Sequence, residues 1–146
     1  MVGITGRAGL LNRLGKAISE QTKFFPASSS EVAARPGNLI DYLLNHDTTK
    51  GRESGHPIVQ VPVLWSGIMS LGEMWPARLK LNGVQLGDVW PCDAIKSASS
   101  PSDSTDHWVP FHKLSQWLTY SLLEAIEHGL GATFDAMTVV TSSPPN

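Results

Sequence analysis

The segment VPVLWSGIMSLGEMWP, from Val61 to Pro76, constrains this chain more than any other stretch. Proline is tolerated in the first turn of a helix and ends one at the far side, so the two prolines predict a helix over 62–75. Val63, Leu64, Trp65, Ile68, Met69, Leu71, Met74 and Trp75 surround that helix on nearly every side. A helix without a wet face must be buried, so the remaining elements have to wrap it. Ser66, Gly67 and Ser70 make a strip of small residues that lets another backbone come close. Gly67 and Gly72 weaken the helix intrinsically, and close packing is the physical reason to keep them.

The wrapping elements can be read from periodicity. Leu10, Leu11, Leu14, Ala17 and Ile18 recur at helical spacing over 9–20, opposite Asn12, Arg13, Lys16 and Glu20. Residues 24–36 read as a linker with a short helical turn at Glu31–Ala34. A second helix is expected over 38–46, with Asn38 as N-cap and Leu39, Tyr42 and Leu43 buried. The polar, Gly-rich stretch 47–56 is a surface loop. Alternation around Asn82-Gly83 predicts a β-hairpin at 78–86, left through a turn at 87–91. Residues 97–106 are low-complexity and polar, hence a mobile loop. The longest helix is expected over 110–128, opened by Pro110 and capped by Gly129, with Phe111, Leu114, Trp117, Leu118, Ser121, Leu122 and Ala125 as its apolar stripe, widened by Leu123 and Ile126 until only a narrow polar row remains. The reading is a mainly α fold of about five helices around helix 62–75 with one hairpin. It forms a single domain over 6–137, followed by an unstructured tail at 138–146.

Composition narrows the function. Only 16% of the 146 residues are charged, against about 25% for an ordinary soluble domain, so either the chain is unusually buried or part of what should cover it is missing. A net charge of −2 gives no basic field for nucleic acid or an anionic membrane surface. No apolar run nears the roughly 20 residues that span a bilayer. No basic stretch followed by an apolar core opens the chain, so a cytoplasmic location is expected. Cys92 is the one cysteine, which excludes an internal disulfide. Trp65, Trp75, Trp90, Trp108 and Trp117 are all in the central stretch, which marks it as the expected packed centre.

Several side chains could carry chemistry. His112, Lys113, Gln116 and Tyr120 stack along the 110–128 helix, where they could border a cleft or simply form a wet edge. Lys113 could hold an anionic or carbonyl oxygen, His112 could exchange a proton, and Gln116 and Tyr120 could read ring hydrogen bonds. Asp88 and Trp90 leave the hairpin and are expected to line the same cleft. Asp88 could act as a general base or could close a turn through its own backbone. Glu73 sits near the end of the 62–75 helix, where the helix dipole disfavours its charge, so a reacting role or a salt bridge to Arg78 or Lys80 is expected. His46, His56, His107, His112 and His128 form no ligand-spaced pair, so neither a metal nor a cofactor is expected.

Three strings are distinctive: Arg35–Leu43 (RPGNLIDYL), Leu79–Pro91 (LKLNGVQLGDVWP) and Val109–Leu122 (VPFHKLSQWLTYSL). Together they resemble a uracil-catabolism protein family of fungi and bacteria, of unknown biochemistry, over about residues 6–136. The resemblance implies a pathway that opens the pyrimidine ring without first reducing it. It implies a pyrimidine-derived riboside or ureido ligand and a hydrolase or glycosidase-like step. Family members are longer, and this chain resembles an internal-to-C-terminal portion of one, with an N-terminal part of the same fold as a further partner. Met137–Asn146 replace a family segment that carries Glu, Tyr and Arg. Two other functions compete: a non-catalytic helical assembly module, with helix 62–75 docking a partner, and an inactive truncated product.

Overall fold

The computed structural model describes residues 3–27, 33–75, 79–96 and 104–135. Its elements run α1 (Ile4–Glu20), α2 (Asn38–Asn45), β1 (Ile58–Gln60), α3 (Val61–Met69), β2 (Lys80–Leu81), β3 (Val84–Gln85), β4 (Val89–Pro91), β5 (Trp108–Pro110), α4 (Lys113–Leu130) and β6 (Thr133–Asp135). Single 3-10 turns occupy Gly72–Met74 and Asp93–Ile95. Among the described residues there are four α-helices rather than about five, and the short strands make the fold mixed rather than mainly α. Residues 1–2, 28–32, 76–78, 97–103 and 136–146 are outside the description, and with them half of the expected Glu31–Ala34 turn, Pro76, Arg78, most of the 97–106 loop and all of the 138–146 tail.

Helix α3 is central, as its composition requires. Val61, Val63, Leu64, Gly67 and Ile68 are buried within this chain, so α3 is core rather than a helix offered to a partner. It is shorter than the expected 62–75 helix. The Ser66 hydroxyl donates to the Pro62 carbonyl at 2.9 Å and the Ser70 hydroxyl to the Gly67 carbonyl at 2.6 Å. Such back-bonding competes with the helix, and with Gly72 following, the chain tightens into the 3-10 turn instead. Leu71 and Met74 still reach the core from that turn. On α1, Ala17 and Ile18 are buried, and the Arg13 guanidinium clamps the helix by donating to the Met74 carbonyl at 2.9 Å. On α2, Leu39 and Leu43 are buried, and the half-buried Tyr42 ring sits edge-on to Phe24 at 5.1 Å. Burial pushes the Tyr42 phenol above its ordinary pKa. Asn38 does not cap α2; Gly37 stands at that position, and the Asn38 side-chain oxygen Oδ1 accepts the Arg35 backbone N–H at 2.7 Å, closing the turn before the helix.

Three strand pairs stitch these helices together. Parallel β1 and β6 align Val59 with Phe134, joining chain segments that no local signal relates. The expected hairpin forms: Leu81 faces Val84 across Asn82 (φ 51°) and Gly83 (φ 83°), the paired positive φ values that an Asn-Gly turn supplies. The expected turn at 87–91 is instead largely β4, antiparallel to β5, with Trp90 opposite Val109. Pro110 therefore ends a strand, and α4 begins three residues later than expected. Its cap is Gly131 (φ 61°) rather than Gly129, with the Gly131 N–H returning to the Glu127 carbonyl at 2.9 Å.

Helix α4 buries the widened edge of the expected stripe, Leu123 and Ile126, together with Ser115 and Thr119 from the expected polar side. Thr119 avoids an unsatisfied hydroxyl by donating to the Ser115 carbonyl at 2.8 Å. Trp117 is 68% exposed, and Phe111, Leu114 and Trp90 are exposed too, so the tryptophans are not the packed centre. That centre is aliphatic, with Ile18, Leu43, Val59, Val61, Leu64 and Ile68 joined by Phe25.

The small-residue strip on α3 serves close packing with α2. A Cβ at Gly67 would stand 2.7 Å from Leu39 Cδ1. Gly67→Val is therefore expected to lower stability by about 1–3 kcal/mol. Gly67→Ala is expected to be closer to neutral, because the Leu39 tip can turn and alanine favours the helix by about 1 kcal/mol. Urea unfolding of the two variants checks the order.

Candidate functional site

An α-helix begins with backbone N–H groups that have no partner within it. At the start of α4 the sequence offers no acidic side chain in the first turn, and His112 precedes the helix in a left-handed conformation (φ 49°) without capping it. The partner comes from another element. Asp88, 6% exposed, accepts the Leu114 backbone N–H through Oδ2 at 2.9 Å. Its Oδ1 accepts the Trp90 indole N–H at 2.7 Å. Its backbone carbonyl lies 3.4 Å from the His112 N–H. Asp88 thus neither closes a turn through its own backbone nor stands free as a base. It is a long-range cap, placed where the helix dipole favours a negative charge.

Beside this cap opens a cleft of about 680 Å³ lined by Asp88, Trp90, Pro91, Cys92, Phe111, Lys113, Leu114 and Gln116. Four residues singled out from the sequence meet here: Asp88, Trp90, Lys113 and Gln116. The others do not. His112 is half-buried and lines no part of the cleft, its ring edge-on to Trp65 with centroids 6.2 Å apart. Tyr120 is exposed further along α4 and lines no part of it. Glu73 is exposed in its 3-10 turn and borders a second, smaller cavity of about 280 Å³ with Ser70, Trp75, Asp88 and Ser115. Asp88 lines both cavities. Sequence reasoning missed Phe111 and Leu114 as cleft residues, having assigned them to the core. Cys92 also lines the cleft, and its backbone N–H donates to the His107 carbonyl at 2.8 Å just beyond the β4–β5 pair. No local motif announces that pairing.

The cleft combines two aromatic side chains, an ammonium and a primary amide beside a helix N-terminus. That set suits a planar ligand carrying carbonyl or anionic oxygens. Burial holds the His112 imidazole below its ordinary pKa, and the Asp88 charge offsets part of that shift. Among the described residues, no group of three or more His, Cys, Asp or Glu side chains could hold a metal ion. Nor is any helix among them long and apolar enough to cross a membrane.

A family model described as "Protein of unknown function (DUF1688)" matches residues 1–145. "Uracil catabolism protein 4" of Lachancea kluyveri is 37% identical over 128 residues, covering 86% of this chain and 27% of that protein. "Protein urg3" of Schizosaccharomyces pombe strain 972 is 32% identical over 125 residues, covering 84% of this chain and 24% of that protein. The chain spans about a quarter of the length of these curated relatives. No solved structure matches it.

Asp88→Ala strands both the Leu114 and the Trp90 N–H, and it is expected to cost about 2 kcal/mol in urea unfolding. Trp90→Phe removes one bond without uncapping the helix and is expected to cost less. The lowered His112 pKa gives a second expectation. The unfolded chain holds the His112 proton more tightly, so stability should be full above about pH 6.5 and fall as pH drops toward the folded pKa. His112→Asn, which tolerates the left-handed backbone, should flatten that part of the profile of melting temperature against pH.

Proposed function

The chain belongs to the DUF1688 family, and from that membership we propose that it serves uracil catabolism, with the α4 cleft holding a pyrimidine-derived riboside or ureido compound. The observation that carries this reading is the Asp88 cap. It fixes the first turn of α4 against β4, so that Lys113 and Gln116 share one cleft with Trp90 and Phe111. The names of the two relatives support the pathway, and the cleft chemistry supports the ligand class. Trp90 and Phe111 offer faces for a planar group, Lys113 a cation for a carbonyl or anionic oxygen, and Gln116 one donor–acceptor pair. Each carboxylate oxygen of Asp88 accepts one N–H, from Trp90 and from Leu114, and in this reading Asp88 is a positioning residue.

The finer reading is a hydrolase or glycosidase-like step, in which water replaces nitrogen at a C–N bond of the ligand. In this reading the cleft binds and orients. Groups that exchange protons come from His112, after a local shift of its turn, or from the larger family polypeptide. His112 suits a base near neutral pH because burial favours its neutral form.

The test is titration of the purified chain with uracil, uridine and ribosylurea, followed by isothermal calorimetry. One of these is expected to bind. Lys113→Ala and Gln116→Ala should each weaken it about tenfold or more, the size of one lost hydrogen bond to a charged or buried group. Growth of a Lachancea kluyveri strain on uracil as sole nitrogen source, with the same substitutions at the matching positions of its protein, gives the pathway readout. Undiminished binding and undiminished growth in both variants would remove the cleft from the function.

A further inference from the structure

Helices α1 and α4 flank an apolar groove of about 650 Å³. Leu11 and Leu14 form one wall, and Trp117, Leu118 and Leu122 the other. Among the described residues, no charged side chain lines it. Leu11 is 65% and Trp117 68% exposed, although both belong to stripes whose helical spacing is that of core residues. Large contiguous apolar surface of this kind marks a place where something docks.

We propose that this groove seats a segment of the family polypeptide from outside the stretch that this chain matches, entering with an apolar face. The length relation favours that occupant. The matched stretch is 27% of one relative and 24% of the other, so about three quarters of each has to pack somewhere. The groove is a continuous apolar site among the described residues that such a segment could fill. It also accounts for the scarcity of charge: with 16% charged residues, the chain lacks the polar coat that a free surface needs. A second copy fits less well. A two-fold interface sets a patch against itself, and two concave grooves facing each other leave a void between them. The groove is separate from the α4 cleft, so the inference stands on family membership and not on the ligand proposed above.

Thiol labelling tests it. In this chain with Cys92→Ser, Leu11→Cys and Trp117→Cys should react rapidly with a maleimide, and the protein should run as a monomer in light scattering. In the intact Lachancea kluyveri protein, cysteines at the two matching positions should react at least tenfold more slowly. Labelling reads cover directly, whether or not the substitutions change stability. As a second variant, Leu11→Asp should leave the melting temperature of this chain nearly unchanged and lower that of the intact relative. Equal labelling rates in the two proteins would overturn the proposal. So would slow labelling in the monomeric chain, which would mean that it covers its own groove. A dimer of this chain that Leu11→Asp dissociates would assign the groove to a second copy instead.

Discussion

The carboxylate of Asp88 joins the strand-built side of the molecule to α4. A helix of eighteen residues presents a cluster of unpaired N–H groups at its start, and here the partner arrives from a residue twenty-six positions away in sequence. One oxygen takes the Leu114 N–H and the other the Trp90 indole. With both engaged, the azimuth of α4 is fixed, and so is the face that Lys113 and Gln116 turn to the cleft. The left-handed His112 is a consequence: the chain must turn sharply out of β5 to present its N–H groups to Asp88.

The same fixing of α4 leaves apolar surface uncovered. The apolar face of the helix is wider than the core that the described residues can set against it. Ser115, Thr119, Leu123 and Ile126 face inward, and Trp117 is left outside with Leu114. On α1 the division is similar, with Ile18 in and Leu11 out. Both stripes have the spacing of core residues, but the described residues cover only part of each.

The site was partly legible. Asp88, Trp90, Lys113 and Gln116 stood out as polar or amphipathic groups beside apolar runs, and they do share a cleft. His112, Tyr120 and Glu73 stood out for the same reason and do not line it. Spacing along α4 groups residues by face, yet it does not say which face meets β4. Phe111 and Leu114 looked like core for the complementary reason: an apolar residue at helical spacing carries no mark of whether its side of the helix is covered.

What the sequence determined by itself is local. Asn82-Gly83 made the hairpin because both positions need positive φ, and the apolar residues between Val61 and Met74 supplied the core because that run lacks a broad polar face. The three strings placed the chain in its family for a different reason, the identity of the words and not any physical pattern. Tertiary structure decided what depends on distant partners: the β1–β6 and β4–β5 pairings, the start of α4 after Pro110, and the conversion of Asp88 from a turn residue to a cap. Those outcomes turn on hydrogen-bond donors and acceptors that find each other only after the chain has collapsed, so no window of sequence contains them.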